Sequence, residues 1–87
     1  MNESKNNQET ANGTKPVLAA VGSVVSQGKK SYIVSDEKIE NGDLVWNEPS
    51  KSIDKCVAVI GDNIVVQFSS RMRAVFWKER FQKLVAQ

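Results

Sequence analysis

Apolar residues along this chain fall in short clusters separated by turn-forming residues, and few of the clusters keep a helical period. Two of them lie back to back. Residues 53–60 read Ile-Asp-Lys-Cys-Val-Ala-Val-Ile, residues 64–68 read Ile-Val-Val-Gln-Phe, and Gly61-Asp62-Asn63 stands between them. β-Branched side chains at this density favour a pleated strand, and two such runs joined by a short turn predict a hairpin. The second half of 53–60 is apolar at every position, the pattern of a central strand. Asn41-Gly42 is an equally strong turn signal, because both residues tolerate positive φ. It predicts a strand over 43–47 with Leu44 and Trp46 on one face and Val45 on the other.

Upstream, residues 17–26 are valine-rich and interrupted by Gly22, which predicts a strand that bends or bulges at the glycine. Gln27-Gly28-Lys29-Lys30 reads as a turn, residues 31–35 as a strand, and 48–52, with Pro49, as a loop. Residues 1–16 carry almost nothing that repays the entropy of being fixed, and they read as a disordered polar leader before a small β domain over 17–87.

The end of the chain supports two patterns. From 71 to 77, Met72, Ala74 and Phe76 alternate against Arg71, Arg73, Val75 and Trp77, as in a strand. Alternatively, Ser69 or Ser70 caps a helix running toward Val85. Beyond Trp77 the spacing of Trp77, Phe81, Leu84 and Val85 favours a helix, so a strand to about Trp77 followed by a short helix or 3₁₀ turn is expected.

Composition narrows the chemistry. The 87 residues contain no histidine and one cysteine, Cys56. A histidine-based triad, an HExxH site and a histidine zinc site are therefore excluded, as is an intrachain disulfide. Cys56, within an apolar run and without a histidine to activate it, reads as a small buried hydrophobe. Asp36, Glu37 and Glu40 lie close together but match no calcium loop, and neither phosphate-loop motif, GxGxxG nor GxxxxGK[ST], is present. The expectation is a noncatalytic protein without metal or cofactor. Asn12-Gly13-Thr14 matches a glycosylation acceptor, but no signal-like apolar run precedes it, and no run reaches the roughly 20 residues a bilayer requires. A soluble, cytoplasmic protein in a reducing compartment is the expectation.

Charge is distributed unevenly. Residues 64–87 set Arg71, Arg73, Lys78, Arg80 and Lys83 against Glu79 alone, with Phe76, Trp77 and Phe81 interleaved. Residues 31–63 reverse this, with three lysines against seven acidic side chains. Cations beside exposed rings suit phosphate contact and base stacking, whereas acidic loops repel a nucleic-acid backbone. A protein partner therefore comes first, bound through Arg71, Arg73, Lys78 and Arg80, with Trp77 or Trp46 supplying apolar area if exposed. Nucleic acid bound through the same segment is the second reading, and a self-assembling structural protein the third.

The run Ile39-Glu40-Asn41-Gly42-Asp43-Leu44-Val45-Trp46 resembles the start of SH3-like barrel modules, in which a Gly-Asp-x-Val element opens a strand after a turn. The resemblance implies a small curved antiparallel sheet, used by different members for peptides, nucleic acid or assembly contacts. Here residues 47–52 replace the glycine-rich turn that customarily follows, which argues against a KOW-type ribosomal or transcription role. The run 32–43 is also similar to a segment of short, uncharacterised proteins from bacteroidete genomes and their phages, implying a phage or mobile-element origin. The expected architecture is all-β, five or six antiparallel strands in an SH3-like barrel. Its expected core is Val21, Val24, Ile33, Leu44, Trp46, Val57, Val59, Ile64, Val66 and Phe68. So small a core makes homodimerisation a natural route to added stability.

Overall fold

The computed structural model of the chain describes residues 16–68 and 70–87; the polar leader, except for Pro16, lies outside them. Seven antiparallel strands run in chain order: β1 (Val24–Gln27), β2 (Lys30–Ser35), β3 (Leu44–Asn47), β4 (Ser52–Ile60), β5 (Asn63–Gln67), β6 (Arg73–Trp77) and β7 (Gln82–Ala86). The all-β expectation holds. The hairpin predicted around residues 61–63 is β4–β5, with Ile60 opposite Asn63 and Val59 opposite Ile64. At the Asn41-Gly42 turn Gly42 takes φ 91°, and its N–H donates to the Cys56 carbonyl at 2.8 Å. The Asn41 carboxamide accepts from the Val59 N–H at 2.8 Å, so one turn satisfies two backbone groups of β4.

Within β4 the register slips at Val57, which faces no residue of β5 directly, while Cys56 pairs with Val66 and Ala58 with Val65. Such a bulge bends a strand and increases its twist. The Cys56 thiol donates to the Ala58 carbonyl across it at 3.3 Å.

Spatially the strands run β1-β2-β7-β3-β4-β5-β6. In a flat sheet β6 and β7 would stand about 19 Å apart, four strand spacings. Instead the rings of Phe76, in β6, and Phe81, just before β7, meet edge to face with centroids 5.2 Å apart. The sheet is therefore strongly curled, and a 3₁₀ turn at Lys78–Arg80 carries the chain across the gap between its two sides. The curl stops short of closure, leaving β1 and β6 as margins.

Curling creates two apolar clusters, and β3 serves both. Val45 packs with Ile39, Cys56, Ile64, Val66 and Phe81 in one cluster, while its neighbour Trp46 packs with Val34 and Leu84 in the other. Adjacent strand residues point to opposite faces, so a strand buried on both sides needs apolar side chains in succession, as Leu44-Val45-Trp46 provides.

Several expectations are corrected. Among the described residues there are seven strands instead of five or six; of the two alternatives expected after Trp77 the 3₁₀ turn forms, at Lys78–Arg80, and the chain then continues as the strand β7 in place of a helix. The strand expected from residue 17 starts only at Val24, because Gly22, at φ 95°, turns the chain before it. Of the expected core, Trp46, Ile64 and Val66 are buried, and Ile33, Leu44, Val57 and Val59 are half-buried. Val21, Val24 and Phe68 are exposed: the first precedes β1, the second lies on a marginal strand and the third follows the end of β5. Val34, Ile39, Val45, Cys56, Phe81 and Leu84 complete the buried apolar set among the described residues.

Candidate interaction surface

The basic, aromatic segment expected to carry binding is β6 with its flanks. β6 pairs with β5 so that Gln67 faces Arg73, Val65 faces Val75 and Asn63 faces Trp77. Ala74 and Phe76 turn toward the core, whereas Arg73, Val75 and Trp77 turn outward. This is the strand alternation read from residues 71–77.

The outward face is unusually apolar for a solvent-facing surface. Val75 and Ile60 are each 62% exposed and Trp77 is 57% exposed. Val65 lies between β4 and β6 on the same side, opposite both Ala58 and Val75. The Arg73 Nε–H donates to Gln67 Oε1 at 3.0 Å, laying the guanidinium along the rim of this patch. Large exposed apolar side chains grouped beside cations mark a contact surface more often than an inert one.

The backbone of β6 carries a second feature. Hydrogen bonds run from the Phe68 N–H to the Met72 carbonyl and from the Lys78 N–H to the Asp62 carbonyl, at 3.1 and 3.0 Å. Hydrogen-bonded pairs alternate in an antiparallel ladder, so Ala74 and Phe76 bond toward β5. The N–H and C=O groups of Arg73, Val75 and Trp77 point away from it, along the sheet margin where no further strand is paired among the described residues.

The other predicted site residues divide. Lys78 pairs with Asp62 at 3.4 Å, while Arg71 and Arg80 are exposed at either end of β6. Arg80 also lines an open cleft of about 290 Å³ with Pro16, Pro49, Phe76 and Phe81. Phe81 itself is buried, so the aromatic interleaving splits into an exposed Trp77 and core-facing Phe76 and Phe81. Trp46 departs from the expected surface role: it is 8% exposed, and its indole Nε1–H donates to Glu48 Oε1 at 2.7 Å. Its ring has no area to offer a partner.

Lys83 is drawn away from the basic group, lying 3.5 Å from Asp43 and 3.7 Å from Glu37. The acidic stretch before β3 is thus engaged in part by a cation from β7, and no group of three His, Cys, Asp or Glu side chains among the described residues is placed to hold a metal ion. Burial pushes the Cys56 thiol above its ordinary pKa, the wrong direction for a nucleophile. Among the described residues no helix is long and apolar enough to cross a membrane. Ile60 and Val75 are the contributors that sequence reading missed. Strand alternation was the available signal for both, but apolar residues on each side of β4 and β6 left the outward side unmarked.

Comparison with protein-family models, with curated proteins and with solved structures finds no match to this chain.

Proposed function

We propose that the protein is a noncatalytic binding module that engages a protein partner through the outer face of β4, β5 and β6. The observation that carries this reading is the grouping of exposed Ile60, Val75 and Trp77 beside Arg73. An exposed tryptophan and an exposed arginine on one face of a strand, with Val75 between them, have the composition of an interface hot spot, and Arg71, Lys78 and Arg80 supply steering charge around it. A partner with an acidic rim and an apolar centre fits this surface. In this reading the domain is an SH3-like barrel extended by the β1–β2 hairpin, supported by the curl of the sheet and the return of β7 between β2 and β3. A cytoplasmic setting and an association with phage or mobile elements belong to the same proposal.

Nucleic acid is the second reading, favoured by the exposed ring of Trp77 among cations. The ion pairs of Lys78 and Lys83 with acidic side chains weigh against it, since they reduce the charge presented to phosphates.

Fluorescence anisotropy with labelled single-stranded and duplex DNA and RNA, at about 50 and 200 mM salt, separates the two. The comparison is with a variant neutralised at Arg71, Arg73, Lys78 and Arg80. Absence of binding at low salt supports a protein partner, which affinity capture with wild type and Trp77→Ala then seeks. Saturable, salt-sensitive binding lost in the neutralised variant overturns the proposal in favour of nucleic acid.

A further inference from the structure

We infer that β6 is a self-pairing strand: two copies of this chain join antiparallel along their β6 margins, about a two-fold axis at Val75. The inference goes beyond the partner reading and does not depend on it.

The first support is the backbone. The residues with outward N–H and C=O groups are Arg73, Val75 and Trp77, every second position of the strand. A two-fold centred on Val75 sets Val75 opposite Val75 of the second copy and Arg73 opposite its Trp77. Each of these positions then forms a hydrogen-bonded pair, six backbone bonds in all by strand geometry.

The second is electrostatic complementarity. In this register Arg73 stands opposite Trp77 of the second copy, and its guanidinium, turning from Gln67 toward the margin, reaches the indole as a favourable cation–π partner, while the two Arg73 side chains stand at opposite ends of the seam. Glu79, immediately beyond the Trp77 end, comes toward the Arg71 and Arg73 end of the other copy. Parallel pairing would instead stack Arg73 on Arg73.

The third is weak protection of the margin. Edge strands are usually blunted by charge, proline or a bulge, yet β6 presents valine and tryptophan outward with Arg73 as the strand's one charge. Pairing would join the outer faces of the two copies into one continuous surface.

Sedimentation equilibrium of the full chain under reducing conditions, from about 5 to 500 µM, tests the inference. Wild type should show a monomer–dimer equilibrium. Val75→Pro removes an outward N–H without removing a bond to β5, and should leave a monomer with unchanged circular dichroism. Val75→Lys should do the same and decides the matter if the proline variant does not fold. Trp77→Arg, which opposes two guanidiniums, should weaken dimerisation at least about tenfold, and adding Arg73→Trp should restore it. A wild-type monomer throughout the range, a dimer that survives in a folded Val75 variant, or open-ended growth to larger species would overturn the inference.

Discussion

The side-chain amide of Gln82 makes two hydrogen bonds to the backbone of Ala19: its Oε1 accepts from the Ala19 N–H and its Nε2–H donates to the Ala19 carbonyl, both at 2.9 Å. Gln82 is only 7% exposed, so a side chain from β7 takes the place of a neighbouring strand for a segment that has none. Substituting Gln82→Leu would retain side-chain bulk while leaving both backbone groups of Ala19 without these partners. The expected cost is about 1–3 kcal/mol in chemical denaturation. Faster hydrogen exchange at the Ala19 amide would accompany it; unchanged protection there would refute the link.

The two tryptophans should be spectroscopically distinct. Trp77→Phe leaves the buried Trp46, with blue-shifted emission and weak acrylamide quenching, while Trp46→Phe leaves the exposed Trp77, red-shifted and readily quenched. Equal quenching in the two variants would contradict the burial of Trp46.

Glu48 should report acid exposure. The hydrogen bond from Lys51, followed by that from the Trp46 indole, holds its carboxyl below the ordinary carboxylate value. A folded-state pKa below the unfolded one contributes stability above the carboxylate range, and that contribution disappears as pH falls through the folded value. The stability difference between wild type and Glu48→Gln should therefore be larger at neutral pH than in acid. Thermal melts across this range check the sign, and a difference that grows on acidification would reverse it.

Lys51 occupies φ 55° at the end of the turn joining β3 to β4, a left-handed conformation that suits glycine better than a side chain with a Cβ. Relief of this strain in Lys51→Gly opposes the loss of the Glu48 contact and the greater freedom of glycine in the unfolded chain. The strain term should prevail, giving a net gain of up to about 1 kcal/mol by denaturant titration.

Native Cys56 should react with a thiol reagent only through opening of the fold, because burial both shields the sulfur and raises its pKa. Labelling in the native state should be far slower than in denaturant. Comparable rates would place the thiol at the surface.

The elements easiest to read were those in which local turn chemistry and apolar pattern agree. Gly61-Asp62-Asn63 stands between two β-branched runs and Asn41-Gly42 before the apolar Leu44-Val45-Trp46, and both turns form as expected. β7 was hidden for a physical reason. One of its inward positions is Gln82, whose polarity breaks the alternation of a half-buried strand, and only the distant Ala19 explains why a glutamine belongs there. The helical spacing of Trp77, Phe81, Leu84 and Val85 joins residues with different surroundings. Phe81 and Leu84 lie in separate cores, and Trp77 and Val85 are exposed. At the candidate surface, alternation sorted Arg73, Val75 and Trp77 onto one side. The side facing solvent was set by Phe76, which the curl of the sheet brings against Phe81.

The insertion of β7 between β2 and β3 has a consequence for synthesis on the ribosome. Tyr32 pairs with Ala86 and Val34 with Leu84, partners separated by some fifty residues of chain, while β3 through β6 form a local meander. The amino-terminal hairpin must therefore emerge and wait, with Val34 and Trp46 lacking Leu84 between them, until β7 has been made. For that interval the nascent chain carries two sheet fragments whose apolar surfaces have yet to meet, and the strand that joins them is the last of the seven to be translated.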